Sequence, residues 1–153
     1  MKCKKTVLSV IVIMMCLLLV SCDPPNFYHD SYTNEVISID LIEYDGGNIQ
    51  NGQEIRNFDF EKSKIIEALN KNDLQVFLSD LTELFIITYR THPDSPNEVC
   101  IRICFDDGTF EIISKNRLIV KYNENGDVME YIGMVDDYNK IISLINKYFN
   151  TQI

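Results

Sequence analysis

The sequence predicts an α+β domain, with an antiparallel meander sheet of four to six strands, two short helices and a C-terminal helix packed on one face. Three observations lead to this prediction. Between residues 84 and 132, short apolar-polar alternating segments are separated by turn residues. Before them, apolar residues recur at helical spacing. A third helical stripe closes the chain, and its broad apolar face requires burial, most simply against the sheet.

The first predicted strand is Val36 to Tyr44. Within it Ile37, Ile39 and Leu41 alternate with polar residues, which is typical of a strand with one buried face. The stretch Asp45 to Gly52 contains three glycines and predicts a loop.

Two short helices are predicted next. The first apolar stripe consists of Ile65, Ile66 and Leu69. The second follows the spacing i, i+3, i+4, i+7 and consists of Leu74, Phe77, Leu78 and Leu81. Asn72 is the expected N-cap of the second helix, because Gln75 three residues later can complete a capping box.

A run of strands follows the helices. The predicted strands are Leu84 to Arg90, Glu98 to Phe105, Thr109 to Ser114, Arg117 to Tyr122 and Val128 to Ile132. The turns between them are His92 to Pro96, Asp106-Asp107-Gly108, Lys115-Asn116 and Asn125-Gly126. Asn-Gly is the strongest hairpin signal, since both residues tolerate positive φ. Consecutive antiparallel strands are the expected result.

The chain ends in a predicted amphipathic helix that Asp136 can cap. Its apolar face consists of Tyr138, Ile141, Ile142, Ile145, Tyr148 and Phe149. A face of this size predicts a structural helix that packs on the sheet.

One strand places two thiols beside an arginine. Val99, Ile101, Ile103 and Phe105 alternate onto one face, so Cys100, Arg102 and Cys104 lie on the other. The two cysteines are then about 13 Å apart and cannot form a disulfide with each other, because that bond needs Cα atoms within about 7 Å. With helices on the opposite face, this is the sheet face left for a partner. The alternative is a face that is simply solvated.

The predicted order of helix, helix and four strands over roughly Phe60 to Tyr122 is similar to one repeat of beta-lactamase-inhibitor-type modules. The resemblance lies in element order. The resemblance implies that inhibition of another protein is one candidate function.

The first 22 residues carry an export pattern. Lys2, Lys4 and Lys5 precede an apolar run from Val7 to Val20, and the tetrapeptide Leu19-Val20-Ser21-Cys22 ends it. The run of about fourteen residues suits a signal peptide and falls short of the roughly 20 that a membrane-spanning helix needs. An uncleaved spanning helix is the alternative. The segment resembles the signal of a bacterial lipoprotein precursor, with the tetrapeptide as its lipobox.

That resemblance implies three parts. Residues 1–21 would be a removed signal peptide, residues 22–34 a lipidated cysteine and tether, and residues 35–153 a single α+β domain. Cys22 would carry acyl chains such as palmitate, and burial of a second chain makes the anchoring stable. The protein is then expected to be exported and lipid-anchored to the cytoplasmic membrane, facing the extracytoplasmic side.

The charge of the remaining chain limits its partners. The three lysines of the leader are its only charged residues, so residues 22–153 hold 11 Lys and Arg against 23 Asp and Glu, a net charge of −12. Such a surface repels nucleic acid and anionic lipid headgroups, and it favours basic partners, cations or simple solubility.

Residues for catalysis or metal binding are sparse. The histidines are His29, in the tether, and His92, in a polar turn. His92 could act as base for Cys100 or Cys104, but reactive cysteines need an electropositive, partly exposed setting. Asn123 to Asp127 alternates oxygen side chains, yet its glycine is misplaced for a calcium loop, and a hairpin loop is the alternative. We therefore predict no catalytic residues, metal or cofactor.

These observations predict a non-enzymatic protein- or ligand-binding module at the cell surface. An inhibitor or immunity protein against a secreted enzyme or toxin is the alternative, because an acidic surface suits a basic target. A small hydrolase is the third possibility.

Overall fold

The computed structural model describes residues 26–27, 35–46, 56–87 and 96–151. In these residues an antiparallel sheet packs against two helices, which confirms the α+β class. The strands are β1 (Asn26–Phe27), β2 (Val36–Asp45), β3 (Ser63–Ala68), β4 (Phe85–Ile87), β5 (Asn97–Phe105), β6 (Phe110–Ser114), β7 (Leu118–Tyr122) and β8 (Val128–Val135). The helices are α1 (Leu74–Leu81) and α2 (Tyr138–Tyr148), and short 3₁₀ turns cover Phe60–Lys62 and Lys71–Asp73.

The sheet order is β1-β4-β8-β7-β6-β5-β2-β3, with every neighbouring pair antiparallel. Strands β5 to β8 form the predicted meander. The eight strands exceed the predicted four to six, since β1 and β3 also join the sheet. Strand β4 corresponds to the predicted strand Leu84 to Arg90, of which residues 88–90 lie outside the described part.

The first predicted helix is wrong, because Ile65 and Ile66 lie in strand β3. The register with β2 passes from Leu41–Glu67 to Ile42–Ile65, so Ile66 is an extra residue in a β-bulge. Both isoleucines are β-branched and fit an extended backbone better than a helix. The bulge breaks strict alternation, which explains why the segment has the spacing of a short helix. Over Phe60 to Tyr122 the order is therefore strand, helix and four strands.

The predicted tether also contributes to the sheet. Asn26 and Phe27 pair with Ile86 and Phe85 of β4, so residues 22–34 are not free along their whole length. Cys22 and His29 lie outside the described residues, as do residues 1–21. His92 and residues 47–52 of the predicted Asp45 to Gly52 loop lie outside them as well. No helix in the described part of the chain is long and apolar enough to cross a membrane.

The predicted helix caps are each displaced. The Asn70 side chain accepts from the Asn72 N–H at 3.0 Å and caps the 3₁₀ turn before α1, so Asn72 is not the N-cap. Helix α2 is capped by Asp137, which accepts from the Asn139 N–H at 2.9 Å, rather than by Asp136. The Asp136 carboxylate instead pairs with Lys140 at 3.1 Å.

Helix α2 buries a slightly different face from the predicted one. Ile141, Ile145 and Phe149 are buried as expected, and Leu144 joins them. Tyr138 is 41% exposed and does not belong to that face. Tyr138 is the first residue of the helix, directly after the Asp137 cap.

Apolar residues fill both faces of the sheet. On the helix side, the core includes Ile39, Leu41, Phe77, Leu81, Ile101, Ile103, Ile113, Ile119, Ile141 and Ile145. On the other side, a second cluster consists of Ile42, Tyr44, Phe58, Cys100, Phe110, Ile112, Leu118, Val120, Tyr122 and Met134. The second face is therefore not simply solvated.

The segment Arg56–Lys62 lies against this second cluster. The Phe58 ring stacks on Tyr44 with centroids 4.3 Å apart and meets Phe110 edge-on at 5.1 Å. Its N–H donates to the Gly126 carbonyl at 2.6 Å. Gly126 has φ +84°, and a Cβ there would lie 2.5 Å from the Phe58 oxygen. Glycine is required at this position by both the turn and the close approach.

Candidate functional site

The three residues of the predicted binding face differ in how much of their surface is exposed. Cys100, Arg102 and Cys104 all lie on the β5 face opposite the helices. Cys100 has no exposed surface, whereas Arg102 and Cys104 are half-buried. Their neighbours on β6 are Ser114, Ile112 and Phe110. Of these three residues, Arg102 and Cys104 therefore keep surface that a partner can reach.

At the Cys104 end of β5 the surface forms a shallow cavity of about 270 Å³, which we call the Ile37–Phe60 depression. Its lining includes Ile37, Phe60, Arg102, Cys104, Thr109, Phe110 and Glu124. Ile37 is 55% exposed and Phe60 is 46% exposed. Two large apolar side chains thus flank one concave surface above a half-buried thiol.

A β-bulge accounts for the position of Ile37. Val36 pairs with Phe105 and Ser38 with Cys104, so Ile37 is an extra residue in β2. The sequence predicted Ile37 on the core face together with Ile39. The bulge instead gives the core position to Val36 and leaves Ile37 in solvent.

The Arg56–Lys62 segment accounts for the position of Phe60. Burial of Phe58 fixes this segment on the sheet, and the Phe60 ring then lies 5.7 Å from Phe110 and 5.1 Å from Phe58, centroid to centroid. Asp59 N–H donates to the Tyr44 hydroxyl at 3.1 Å, which holds the backbone beside it. Phe60 is exposed although its neighbours are fixed.

An ion pair borders the depression. Arg102 donates to Asp40 Oδ2 from Nη2 at 2.8 Å and from Nε at 3.3 Å. The two side chains are only 16% and 10% exposed. If the two side chains moved apart, each charge would be poorly solvated in this half-buried position. We therefore expect the pair to stay intact. Asp40 compensates Arg102, which therefore presents little free positive charge to a ligand.

One acidic side chain, Glu124, lines the depression, and three more acidic residues lie at the same end of the sheet. We call Glu35, Asp106, Asp107 and Glu124 the acidic rim, and all four are exposed. The Asp106 N–H donates to the Glu35 carbonyl at 3.0 Å. A Cβ at Gly108 would lie 3.5 Å from Glu124 Oε2, which places that carboxylate against the β5–β6 turn. Hydrogen bonds from the Thr109 hydroxyl and N–H lower the pKa of Asp107, so its carboxyl stays ionised.

The Cys100 thiol is unsuited to nucleophilic chemistry. Complete burial raises its pKa well above the usual value, because the thiolate loses its hydration. Its S–H points to the Glu98 carbonyl, 3.9 Å away. Cys100 and Cys104 form no disulfide with each other, as the strand geometry predicted. His92, the base that could have served either thiol, lies outside the described residues.

The two thiols should react at different rates. In the native protein, iodoacetamide should modify the half-buried Cys104, while Cys100 should react only through unfolding. Mass spectrometry before and after addition of urea should therefore show one adduct and then two. Cys104→Ser is the control and should show no adduct before urea. Rapid native modification of that variant would contradict the burial of Cys100.

A second cavity of about 450 Å³ lies between the helices, and charged groups line it. Lys147 donates to Asp80, and the Tyr148 hydroxyl donates to the same carboxylate at 2.7 Å. These bonds lower the pKa of Asp80, with Lys147 as the larger cause. Because they join α1 to α2, we interpret this cluster as a structural connection between the helices.

Acid should weaken that connection. A carboxyl with a lowered pKa stabilises the fold above its ordinary pKa of 3.8, and this contribution is lost as the pH falls through its folded value. Asp80→Asn should therefore be less stable than wild type at neutral pH, and the difference should disappear well below pH 3.8. Urea titrations across this range measure it. Asp73→Asn, which loses no side-chain cap bond, is the control. A difference that stayed constant on acidification would contradict the role of the Asp80 carboxylate.

Sequence reasoning found part of this surface. It identified Arg102 and Cys104 from strand alternation but missed Ile37, Phe60 and the Asp40 pairing. The sequence predicted the Asp106-Asp107-Gly108 turn but not its position beside Glu124. Among the described residues, no group of three or more His, Cys, Asp or Glu side chains is placed to hold a metal ion.

No protein-family model matches the chain, and no curated protein or solved structure matches it significantly. The residues of the chain itself therefore support the functional proposal.

Proposed function

We propose that this chain is an exported lipoprotein, held by acyl chains on Cys22 at the extracytoplasmic side of the cytoplasmic membrane, whose domain is a non-enzymatic protein-binding module. The tetrapeptide Leu19-Val20-Ser21-Cys22 supports the anchor, because it follows an apolar run of signal-peptide length. The Ile37–Phe60 depression supports the binding role.

The observation that carries the binding role is the convergence of two exposed apolar side chains on one concavity. A single exposed apolar residue is normal on a protein surface. Ile37 and Phe60, at 55% and 46% exposure, line the same cavity as Cys104. An apolar centre surrounded by polar residues is the usual arrangement of a protein contact surface. Phe60 is the best candidate for a residue that dominates the contact, since aromatic side chains near the centre of an interface contribute most.

Metabolic labelling tests the anchor. Labelled palmitate should enter the wild-type protein and should not enter Cys22→Ala, which should also keep its leader and its greater mass. Equal labelling of the two proteins would contradict acylation at Cys22.

Site-specific photocrosslinking in the native cell tests the binding surface. A benzoylphenylalanine at Phe60 should give a discrete crosslinked species, whereas the same residue at Val76 should not. Val76 is a matched control because it is 53% exposed and lies on α1, which packs on the other face of the sheet. Ile37→Glu should abolish the Phe60 product. Equal products from both positions would contradict a specific site.

A second candidate function is inhibition of a secreted enzyme or toxin, or immunity to it. The acidic rim favours it, because a cluster of carboxylates at a contact site speeds association with a basic target. A crosslinked species containing a secreted enzyme, together with loss of that enzyme's activity, would select this candidate.

A further inference from the structure

We propose that the segment bound in the Ile37–Phe60 depression is basic: a stretch of a protein partner in which lysine or arginine residues flank one large apolar side chain. This inference rests on the proposed function and specifies the chemistry of the partner. It follows from the size of the cavity, its apolar surfaces and the sign of the charge around it.

The size of the cavity limits what can enter it. Pockets that enclose a cofactor or drug-sized ligand have volumes of about 300 to 1,000 Å³ and bury most of the ligand. The depression, at about 270 Å³, is smaller than this range, and it is shallow. Ile37, Phe60 and Phe110 give it apolar surfaces. It therefore suits a single apolar side chain projecting from a protein.

The surrounding charge determines what flanks that side chain. The acidic rim contributes four exposed carboxylates, and Thr109 keeps Asp107 ionised. Arg102 is compensated by Asp40, and Lys62 on the Arg56–Lys62 segment is paired with Asp59. Lys121 approaches Asp107 from β7, and its amine also lies 5.2 Å from the Phe105 ring centroid. Arg56, at the start of the Arg56–Lys62 segment, is exposed as well. Among the described residues, these two cations do not balance four carboxylates, so the net charge at this end of the sheet is negative.

The same charge disfavours two other occupants. A second copy of this chain would bring a net charge of −12 and its own acidic rim to the contact. An anionic lipid surface would also be repelled. A basic protein segment is the occupant that gains from both the apolar centre and the acidic rim.

A synthetic peptide provides the direct test. The probe is the acetylated, amidated pentapeptide Lys-Lys-Phe-Lys-Lys, added to the full chain purified from membranes in detergent. Cys104 lines the depression, so a bound peptide should slow its alkylation. The rate should fall with peptide concentration and saturate with a Kd of about 0.1 to 1 mM. Peptides with serine for phenylalanine, or glutamate for lysine, should each bind at least about tenfold more weakly.

Charge-reversal variants locate the site. Asp106→Lys with Glu124→Lys should weaken binding about tenfold, because two attractive contacts become repulsive. Among the described residues neither side chain has a hydrogen-bond partner, so the fold should tolerate the change. Asp73→Lys with Glu83→Lys makes the same change in net charge beside α1 and should alter binding less than about twofold. Should the first variant melt early, Glu124→Gln replaces it, and a weaker but measurable loss is expected.

Four results would overturn the inference. Equal binding of the lysine and glutamate peptides would show that charge plays no part, and equal binding of the serine peptide would remove the apolar contact. Equal losses in the two double variants would show only an effect of net charge. Absence of any peptide binding would reject the basic segment, while the Phe60 crosslink would still decide the proposed function separately.

Discussion

Phe58→Ala should lower the free energy of unfolding by about 3 to 5 kcal/mol, the usual cost of truncating a buried aromatic side chain. Phe58 is 4% exposed, and its ring lies between Tyr44, Phe110 and Tyr122. Its loss would leave a void among three aromatic rings that belong to different strands. A domain of this size has about 5 to 15 kcal/mol of stability in total, so this loss is a large share of it.

Phe60→Ala is the matched control for this prediction. It removes the same side chain two residues away, but Phe60 is 46% exposed, so the expected loss is about 1 kcal/mol. Urea unfolding followed by far-UV circular dichroism gives both values. If the two variants unfolded at the same urea concentration, Phe58 would not hold the Arg56–Lys62 segment on the sheet. Phe60→Ala should instead lose the binding function while it keeps the fold.

The contrast between these two residues connects the fold with the site. Phe58 fixes the Arg56–Lys62 segment, and Phe60 is exposed on that same segment beside Phe110. Binding residues are positioned best when their support is rigid, because less entropy is lost on association. The second cluster, on the sheet face opposite the helices, therefore stabilises the sheet and also fixes the position of Phe60.

Local patterns made the second half of the fold predictable. The turns at Asp106-Asp107-Gly108 and Asn125-Gly126 are specified by residues that favour those backbone angles, and both Gly108 and Gly126 have φ +84°. The strands that they join are neighbours in both sequence and space. Prediction therefore needed no long-range information.

Long-range pairings account for the errors. Whether Ile65 and Ile66 belong to a helix or a strand depends on β2, which precedes them by more than twenty residues. Strict alternation predicts Ile37 in the core, but one bulge moves it into solvent. The Phe58 contacts with Tyr122 and Gly126 span still longer separations. The candidate site depends on the bulge at Ile37 and on the Arg56–Lys62 segment, and neither feature has a local sequence signal.

Helix α2 gives the second large prediction, in which two neighbouring isoleucines should behave differently. Ile145→Ala should cost about 2 to 5 kcal/mol, because Ile145 has no exposed surface and packs in the helix-side core. Ile142 lies on the predicted apolar face but is only half-buried, so Ile142→Ala should cost about 1 kcal/mol.

Urea unfolding of the two variants separates a structural helix from a binding helix. A helix that packs on the sheet loses stability in proportion to the burial of each side chain, so the variants should differ by at least about 1 kcal/mol. The sequence did not predict Leu144 on this face. Leu144→Ala should nevertheless lower the free energy of unfolding about as much as Ile145→Ala does, because Leu144 is only 7% exposed. If all three variants unfolded together with wild type, the apolar face of α2 would be free of the core. It would then replace the Ile37–Phe60 depression as the surface on which a partner binds.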